Sequence, residues 1–217
     1  MIVTIDGPVA AGKTTVAREL ASRLGFTLLD TGAIYRSLAL VAHQRGISQD
    51  DEAGLAELAR DFGVSFEFRD GQNHVFVDGA DVTAEIRLPE VSQAASIVSA
   101  LPAVRQALLD RQRQLAAEGS VVAEGRDTGT VVFPDAEAKF FVTAADEVRA
   151  ERRQRELLEK GGSDTLEEVL AALKERDLRD STRAVAPLKP AADARIIDTT
   201  ERTIEEVLAE ILEHIAR

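Results

Sequence analysis

Between Gly7 and Thr14 the chain reads Gly7-Pro8-Val9-Ala10-Ala11-Gly12-Lys13-Thr14, with Thr15 following, and this fits the spacing Gly-x-x-x-x-Gly-Lys-Ser/Thr. The two glycines let the backbone turn with its N–H groups inward. Lys13 is placed to reach the β- and γ-phosphates of a nucleotide, and the Thr14 hydroxyl to ligate a magnesium ion. The stretch is a phosphate cradle, and Lys13 is expected to stand on its solvent-facing side. Asp30-Thr31-Gly32-Ala33-Ile34-Tyr35-Arg36 has a related character. It brings a capping hydroxyl, a helix N-terminus and, one turn later, an arginine close together, which makes a second anion site. Gly125-Arg126-Asp127 adds another arginine beside a carboxylate, and the two loops are expected to converge on one acceptor. Seven arginines (Arg149, Arg152, Arg153, Arg155, Arg176, Arg179 and Arg183) fall within one 35-residue window. Guanidinium forks match phosphate oxygens in pairs, which a lysine cannot do.

These residues need elements to hold them, and the pattern supplies strands alternating with helices. Ile2 to Ile5 is a strand-like run, and Val16, Ala17, Leu20, Ala21 and Leu24 recur at helical spacing until Gly25. Phe26 to Leu29 is a short strand; Asp30-Thr31 caps a helix that ends at Gly46, and Ser48 caps another that ends near Gly63. From Val64 to Val82 the period changes to two about an Asp70-Gly71-Gln72-Asn73 turn. This predicts an antiparallel hairpin with Asp81-Val82-Thr83 as a third short strand. Helices follow at about Leu88 to Ser99 and from Pro102 to Gly119, then buried strands at Val121 to Ala123 and Ala138 to Val142. Thr143 with Asp146 opens an arginine-rich helix, and Thr165 with Glu168 makes the capping box of the next. The pair Gly161-Gly162 between them suits a moving lid. Ile196 and Ile197 form the last strand, and Thr203 with Glu206 caps a closing amphipathic helix. The expected fold class is α/β, with a mostly parallel central sheet between helices.

Composition sets the limits. The 217 residues suffice for one substantial core with a small insert, and the net charge of −12 argues against binding long nucleic acids. No apolar run approaches the ~18 residues of a membrane span, so a cytoplasmic protein with no membrane partner is expected. Cysteine is absent, which excludes disulfides, thiol catalysis and cysteine-ligated zinc. Metal is expected to enter as nucleotide-borne magnesium. The chain contains no Asn-Lys dipeptide, so the guanine reader of a switch GTPase is missing, and the remaining classes are kinases of nucleotides or small metabolites. A non-catalytic ATP-binding module would leave the second anion site without purpose.

Over essentially its whole length the chain resembles the bacterial cytidylate kinases, a family of P-loop nucleoside monophosphate kinases. The segments that carry the resemblance are GPVAAGKT, DTGAIYR, EIRLPEVSQAAS, PAVRQALLDRQR, EGRDTGTVVFPDA and ERDLRDSTRAVAPLKPAADA. The resemblance implies a single three-layer P-loop domain over residues 1–217, with an acceptor-binding insert at about 63–100 and a helical lid at about 148–165. It implies transfer of the γ-phosphoryl of MgATP to CMP and dCMP; from the sequence itself no nucleic-acid polymer partner and a monomeric chain are expected. ATP is expected on Gly7, Pro8, Val9, Ala10, Ala11, Gly12, Lys13, Thr14 and Thr15, and Mg2+ on Thr14. Thr31, Arg36 and Arg126 would hold the acceptor phosphate, with Tyr35 beside them. Ser96, Arg105, Asp127 and Arg183 would surround the base, and Arg176 with Asp180 would reach the ribose. Lys13, Arg36, Arg126 and the lid arginines Arg152 and Arg155 are the expected catalytic cations. Arg176, Asp180 and Arg183 share a helical face if that helix persists to Arg183. Ala10 stands where the family often has glycine, which asks for an ordinary backbone angle there. Thr31 stands where many members have serine and keeps the hydroxyl.

Overall fold

A computed structural model describes residues 1–69, 72–117 and 119–216. Five parallel strands form the central sheet in the order β2-β6-β1-β7-β8: β1 Ile2–Asp6, β2 Thr27–Asp30, β6 Val121–Gly125, β7 Ala138–Thr143 and β8 Arg195–Asp198. Alternation along these strands loads both faces. Val3, Ile5, Leu28 and Val122 pack with α1 (Lys13–Leu24) and α8 (Ile204–Ile215), whereas Leu29, Val121 and Ala123 pack with α2 (Thr31–Gln44) and α5 (Pro102–Leu115). Each fully buried aliphatic side chain contributes about 1.5–3 kcal/mol, so two covered faces fix both strand order and register. β1 is paired on both sides, with Asp6 opposite Gly125 on one side and Phe141 on the other. The phosphate loop and the Gly125-Arg126-Asp127 loop therefore leave adjacent strands at the same carboxyl end of the sheet, where ligands of open α/β folds bind.

The remaining elements frame that end. A second, antiparallel sheet, β3 Val64–Arg69, β4 Gln72–Val77 and β5 Ala80–Asp81, stands between α3 (Glu52–Arg60) and α4 (Pro89–Val98) in the chain. α6 (Asp146–Glu159) and α7 (Leu166–Thr182) pack on each other through Ala150, Val169 and Leu173. The Thr165–Glu168 and Thr203–Glu206 capping boxes form as their spacing requires. No helix among the described residues is long and apolar enough to cross a membrane.

Several local expectations change. Asp51, not Ser48, caps α3 by accepting from the Gly54 N–H; the Ser48 hydroxyl is taken by the Asp50 N–H in the preceding turn. Thr143 remains in β7, and α6 starts at an N-cap, Ala145, with no side-chain cap, while Asp146 pairs with Arg149 at 2.6 Å. α5 ends at Leu115, ahead of Gly119. Gln72 and Asn73 are strand residues paired with Arg69 and Phe68 rather than turn residues, and the Asp70-Gly71 part of the expected turn lies outside the described residues. The third short strand is Ala80–Asp81 and stops before Val82 and Thr83.

Candidate active site

The phosphate loop is built by steric constraint on both sides. Gly7 lies at φ +148, and a Cβ there would stand 1.9 Å from the Val142 carbonyl of β7, so only glycine lets β1 turn into the loop at that point. Ala10 takes φ 60, a left-handed conformation rather than the ordinary angle expected from its sequence, and costs roughly 1–2 kcal/mol relative to glycine's free choice. Gly12, at φ 89, caps α1 without a side-chain acceptor, which leaves the first-turn N–H groups facing the loop with no side-chain partner. Arg149 pins the loop from outside, donating to the Val9 carbonyl at 3.1 Å and to Asp177 at 2.6 Å. Nothing in the sequence marked Arg149 apart from its six neighbours in the basic window.

Lys13 is buried rather than solvent-facing: it is 6% exposed and donates to the Pro8 carbonyl. Burial, and after it the nearby Arg126, pushes its ammonium well below the usual lysine range. Thr14 Oγ1 donates to Glu124 Oε2 at 2.9 Å across 110 residues, and Glu124 Oε1 is buried with no partner. Burial, with Asp30 next, raises the Glu124 carboxyl to about 7. A hydroxyl oriented by a carboxylate with one oxygen to spare fits a hydrated magnesium ion at Thr14. The raised value also carries a stability consequence. The unfolded chain loses this proton near the ordinary glutamate value and the folded chain only near 7. The folded state therefore loses stability as pH rises between the two, and bears the full cost above them. Glu124→Gln is expected to raise the melting temperature of the nucleotide-free protein at pH 8 and to leave it nearly unchanged near pH 4.5. Equal shifts at the two pH values, read by differential scanning fluorimetry, would show that Glu124 ionisation bears no such cost.

The cradle forms one end of a hollow of about 250 Å³ that brings most of the sequence-derived site residues together. Its lining contains seven cations (Lys13 and Arg36, Arg105, Arg126, Arg153, Arg176, Arg183) against five carboxylates (Asp30, Glu124, Asp127, Glu156, Asp180), a positive balance in an acidic protein. The cations are partly held by acids: Arg36 pairs with Asp30 at 2.7 Å and Arg126 with Asp180 at 3.0 Å. Buried guanidinium nitrogens, Arg36 Nε and Arg176 Nε, have no hydrogen-bond partner, so donors remain for an anion. Burial, with Arg126 behind it, lowers Arg176 to about 10. Burial opposes ionisation of Asp180, yet Arg126, Arg176 and Arg183 together hold it below the usual carboxylate range. At the far end Asp127 is clamped by Arg105 Nη2 and by Arg183 Nη2 at 3.2 Å, and the Arg105 guanidinium lies 5.4 Å from the Tyr35 ring centroid.

Other sequence-derived positions fall differently. The N-cap of α2 is the Asp30 carboxylate, accepting from the Ala33 N–H at 2.8 Å, while the Thr31 hydroxyl donates to the Glu124 carbonyl at 2.7 Å. α7 ends at Thr182, so Arg183 is a C-cap and reaches Asp127 from outside the helical face shared by Arg176 and Asp180. Ser96 is buried behind the hollow, its hydroxyl accepting from Arg179 at 2.8 Å. Arg152 bonds the Thr199 carbonyl at 2.7 Å and, with Arg155, lines a second hollow of about 390 Å³ on the outer side of Ala10, Ala11, Gly12 and Thr15. Arg153 lines the main hollow in their place.

A parallel α/β sheet with a Gly-x-x-x-x-Gly-Lys-Thr loop at its carboxyl edge, facing a hollow rich in cations, defines a P-loop phosphotransferase. The sequence model of the cytidylate kinase family matches residues 3–217, and the chain belongs to that family. Cytidylate kinase from Pasteurella multocida is 49% identical over 99% of this chain and 95% of its own length. That from a Geobacter species is 51% identical over 100% and 93%. The fold is also that of a solved structure of an uncharacterized protein from Eubacterium ventriosum, with a TM-score of 0.55 at 15% identity, covering 100% of this chain and 98% of that one.

Proposed function

We propose that the chain moves the γ-phosphoryl group of MgATP to CMP, with dCMP as a second acceptor. The observation that carries this reading is the shared hollow, with a phosphate cradle at one end and a doubly clamped buried carboxylate, Asp127, at the other. ATP lies with its phosphates on the loop from Gly7 to Thr15 and its nucleoside in the outer hollow beside Arg152 and Arg155. The acceptor phosphate sits on Thr31, Arg36 and Arg126, its ribose by Arg176 and Asp180, and its base by Asp127, Arg105, Arg183 and Tyr35. Cytosine offers an amino donor at N4 and acceptors at N3 and O2, which a carboxylate and guanidiniums complement.

The second pKa of the acceptor phosphate is near ~6, so it is largely dianionic at neutral pH and needs no general base. Its oxygen forms the new P–O bond as the bond to the β-phosphate oxygen breaks, and ADP leaves. Thr14, with Glu124 behind it, would hold a hydrated magnesium ion, which would supply charge neutralisation to the nucleotide phosphates. Lys13, Arg36, Arg126 and Arg153 keep two anions close and stabilise the charge that spreads over the transferring group. Release of ADP, measured by a coupled assay over CMP, dCMP, UMP and AMP, tests the reading. CMP is expected to give the highest kcat/KM; a higher value with UMP or AMP, or no ADP with any acceptor, overturns it.

Residues from about 148 to 165 serve as a lid and those from about 63 to 100 as the acceptor-binding insert. Gly161 at φ +83 punctuates the turn between α6 and α7, and Lys160 reaches the Arg87 carbonyl of the insert at 3.3 Å. Closure excludes water that would otherwise take the phosphoryl group. Amide hydrogens of this segment are expected to exchange quickly in the free protein and slowly with a bisubstrate analogue, by hydrogen-exchange mass spectrometry. Equal protection in the two states would mark a static surface helix.

A further inference from the structure

Asp6, the last residue of β1, is buried at 4% exposure, and no role in binding or chemistry accounts for a carboxylate there. All of its hydrogen bonds go to one loop. Oδ1 accepts from the Thr128 N–H at 2.9 Å and from Thr128 Oγ1 at 2.8 Å, and Oδ2 accepts from the Gly129 N–H at 2.8 Å. Asp127, directly before Thr128, takes an uncommon backbone conformation (φ −145, ψ 20), and its carbonyl accepts from the Val131 N–H at 2.9 Å. Loop and strand fit closely, because a Cβ on Gly129 would stand 2.8 Å from Thr4 Oγ1 and 3.5 Å from Asp6 Oδ2. Gly7, the next residue after Asp6, opens the phosphate loop. One β-strand end thus carries the ATP cradle through its backbone and holds the Arg126-Asp127 loop through its side chain.

We infer that Asp6 is the positioning residue for the acceptor, fixing Asp127 and Arg126 against the phosphate loop through Thr128 and Gly129. A buried carboxylate suits this task. It is acceptor-only, and the two N–H donors and one hydroxyl it meets sit on consecutive residues, so the loop has one seat on the strand. Charge-assisted bonds of this kind hold geometry that neutral ones leave loose, and loosened support of reacting groups typically costs 10–100-fold in affinity or activity, on the order of what supporting residues contribute elsewhere. Because Asp6 lies outside the lining of the hollow and its carboxylate bonds only Thr128 and Gly129, its loss is expected in the acceptor parameters and in base selectivity and not in ATP binding.

The inference rests on the proposed reading of Asp127 as the base-recognising group, and the experiment separates the two. kcat and KM for CMP and UMP are measured for wild type, Asp6→Asn, Thr128→Val, Thr128→Ser and Asp127→Asn, together with the Kd of MgATP by titration calorimetry without acceptor. Thr128→Val keeps the shape and both backbone bonds and removes one donor, so it remains folded even if Asp6→Asn does not. Thr128→Val is expected to lower kcat/KM for CMP by about 10-fold, mainly through KM, and Asp6→Asn by about 100-fold, with the CMP-to-UMP ratio falling in both. MgATP Kd stays within about twofold in each variant, and Thr128→Ser, which retains the hydroxyl, returns to wild-type selectivity. If Asp127→Asn changes the ratio while Asp6→Asn and Thr128→Val leave it at the wild-type value, the positioning role is overturned and the base reading stands. If Asp127→Asn leaves the ratio unchanged, the base reading itself fails.

Discussion

Lys13→Ala is expected to lower kcat by about 10²–10³-fold, equivalent to roughly 2.7–4 kcal/mol of transition-state stabilisation, without weakening the nucleotide-free fold. The two halves have separate causes. In the proposed reading Lys13 is the cation that meets the transferring group, and no other side chain of the loop from Gly7 to Thr15 carries charge. In the free protein the same charge is a burden: burial and Arg126 both disfavour it, and its hydrogen bond goes to the Pro8 carbonyl of its own loop. Alanine removes that burden and leaves the apolar core of α1, carried by Val16, Ala17 and Leu20, untouched. The melting temperature without nucleotide is therefore expected to hold or rise. For wild type, MgATP at 100 times its Kd adds about 2.7 kcal/mol, or roughly 5–10 °C for a chain of this size, and the variant is expected to lose most of that increment. Retention of more than about a tenth of wild-type turnover, an effect under ~1.4 kcal/mol, would show that Lys13 is no phosphate clamp.

Asp127→Asn is expected to weaken the preference for cytosine over uracil. An acceptor-only carboxylate takes the cytosine amino group but opposes the O4 acceptor of uracil, leaving two buried acceptors face to face. A site built around a substrate's hydrogen-bonding group rejects the analogue that lacks it by up to ~10⁴-fold. Asparagine converts one of those oxygens to a donor, so CMP activity falls and relative acceptance of UMP rises. The clamp adds a second effect. Arg105 and Arg183 are both buried and both bond Asp127, and the amide leaves one of these charges without its acceptor. Breaking a buried pair outright costs about 3–5 kcal/mol, so a measurable loss of stability, below that range, is expected alongside the change in selectivity. The deciding quantity is the ratio of kcat/KM for CMP to that for UMP at saturating ATP, which is independent of the folded fraction. A ratio that does not fall would remove Asp127 from base recognition and leave Arg126 alone as the contribution of its loop.

What the sequence determined by itself is local chemistry. Gly7, Gly12, Lys13 and Thr14 act within one turn of chain, and a turn of that kind depends on the residues inside it rather than on distant packing. The same holds for the Thr165 and Thr203 capping boxes and for the period-two runs that became Val64–Arg69 and Gln72–Val77. The parallel sheet was also legible, because strands covered on both faces must be apolar throughout. Contacts between distant segments were not legible in this way. On α6 successive side chains turn by about 100°, and nothing in the basic run says which way the helix faces. Burial of Arg149 and Ala150 settles it, sending Arg153, one turn beyond Arg149, toward the hollow and Arg152 toward Thr199. The left-handed angle of Ala10, the burial of Lys13 and the departure of Arg183 from its helix were decided in the same manner, by what packs around each residue. Asp6 is the sharpest instance: in sequence it is one acidic residue before a glycine, and only the pairing of β1 with β6 brings Thr128 and Gly129, more than a hundred residues away, onto its two oxygens.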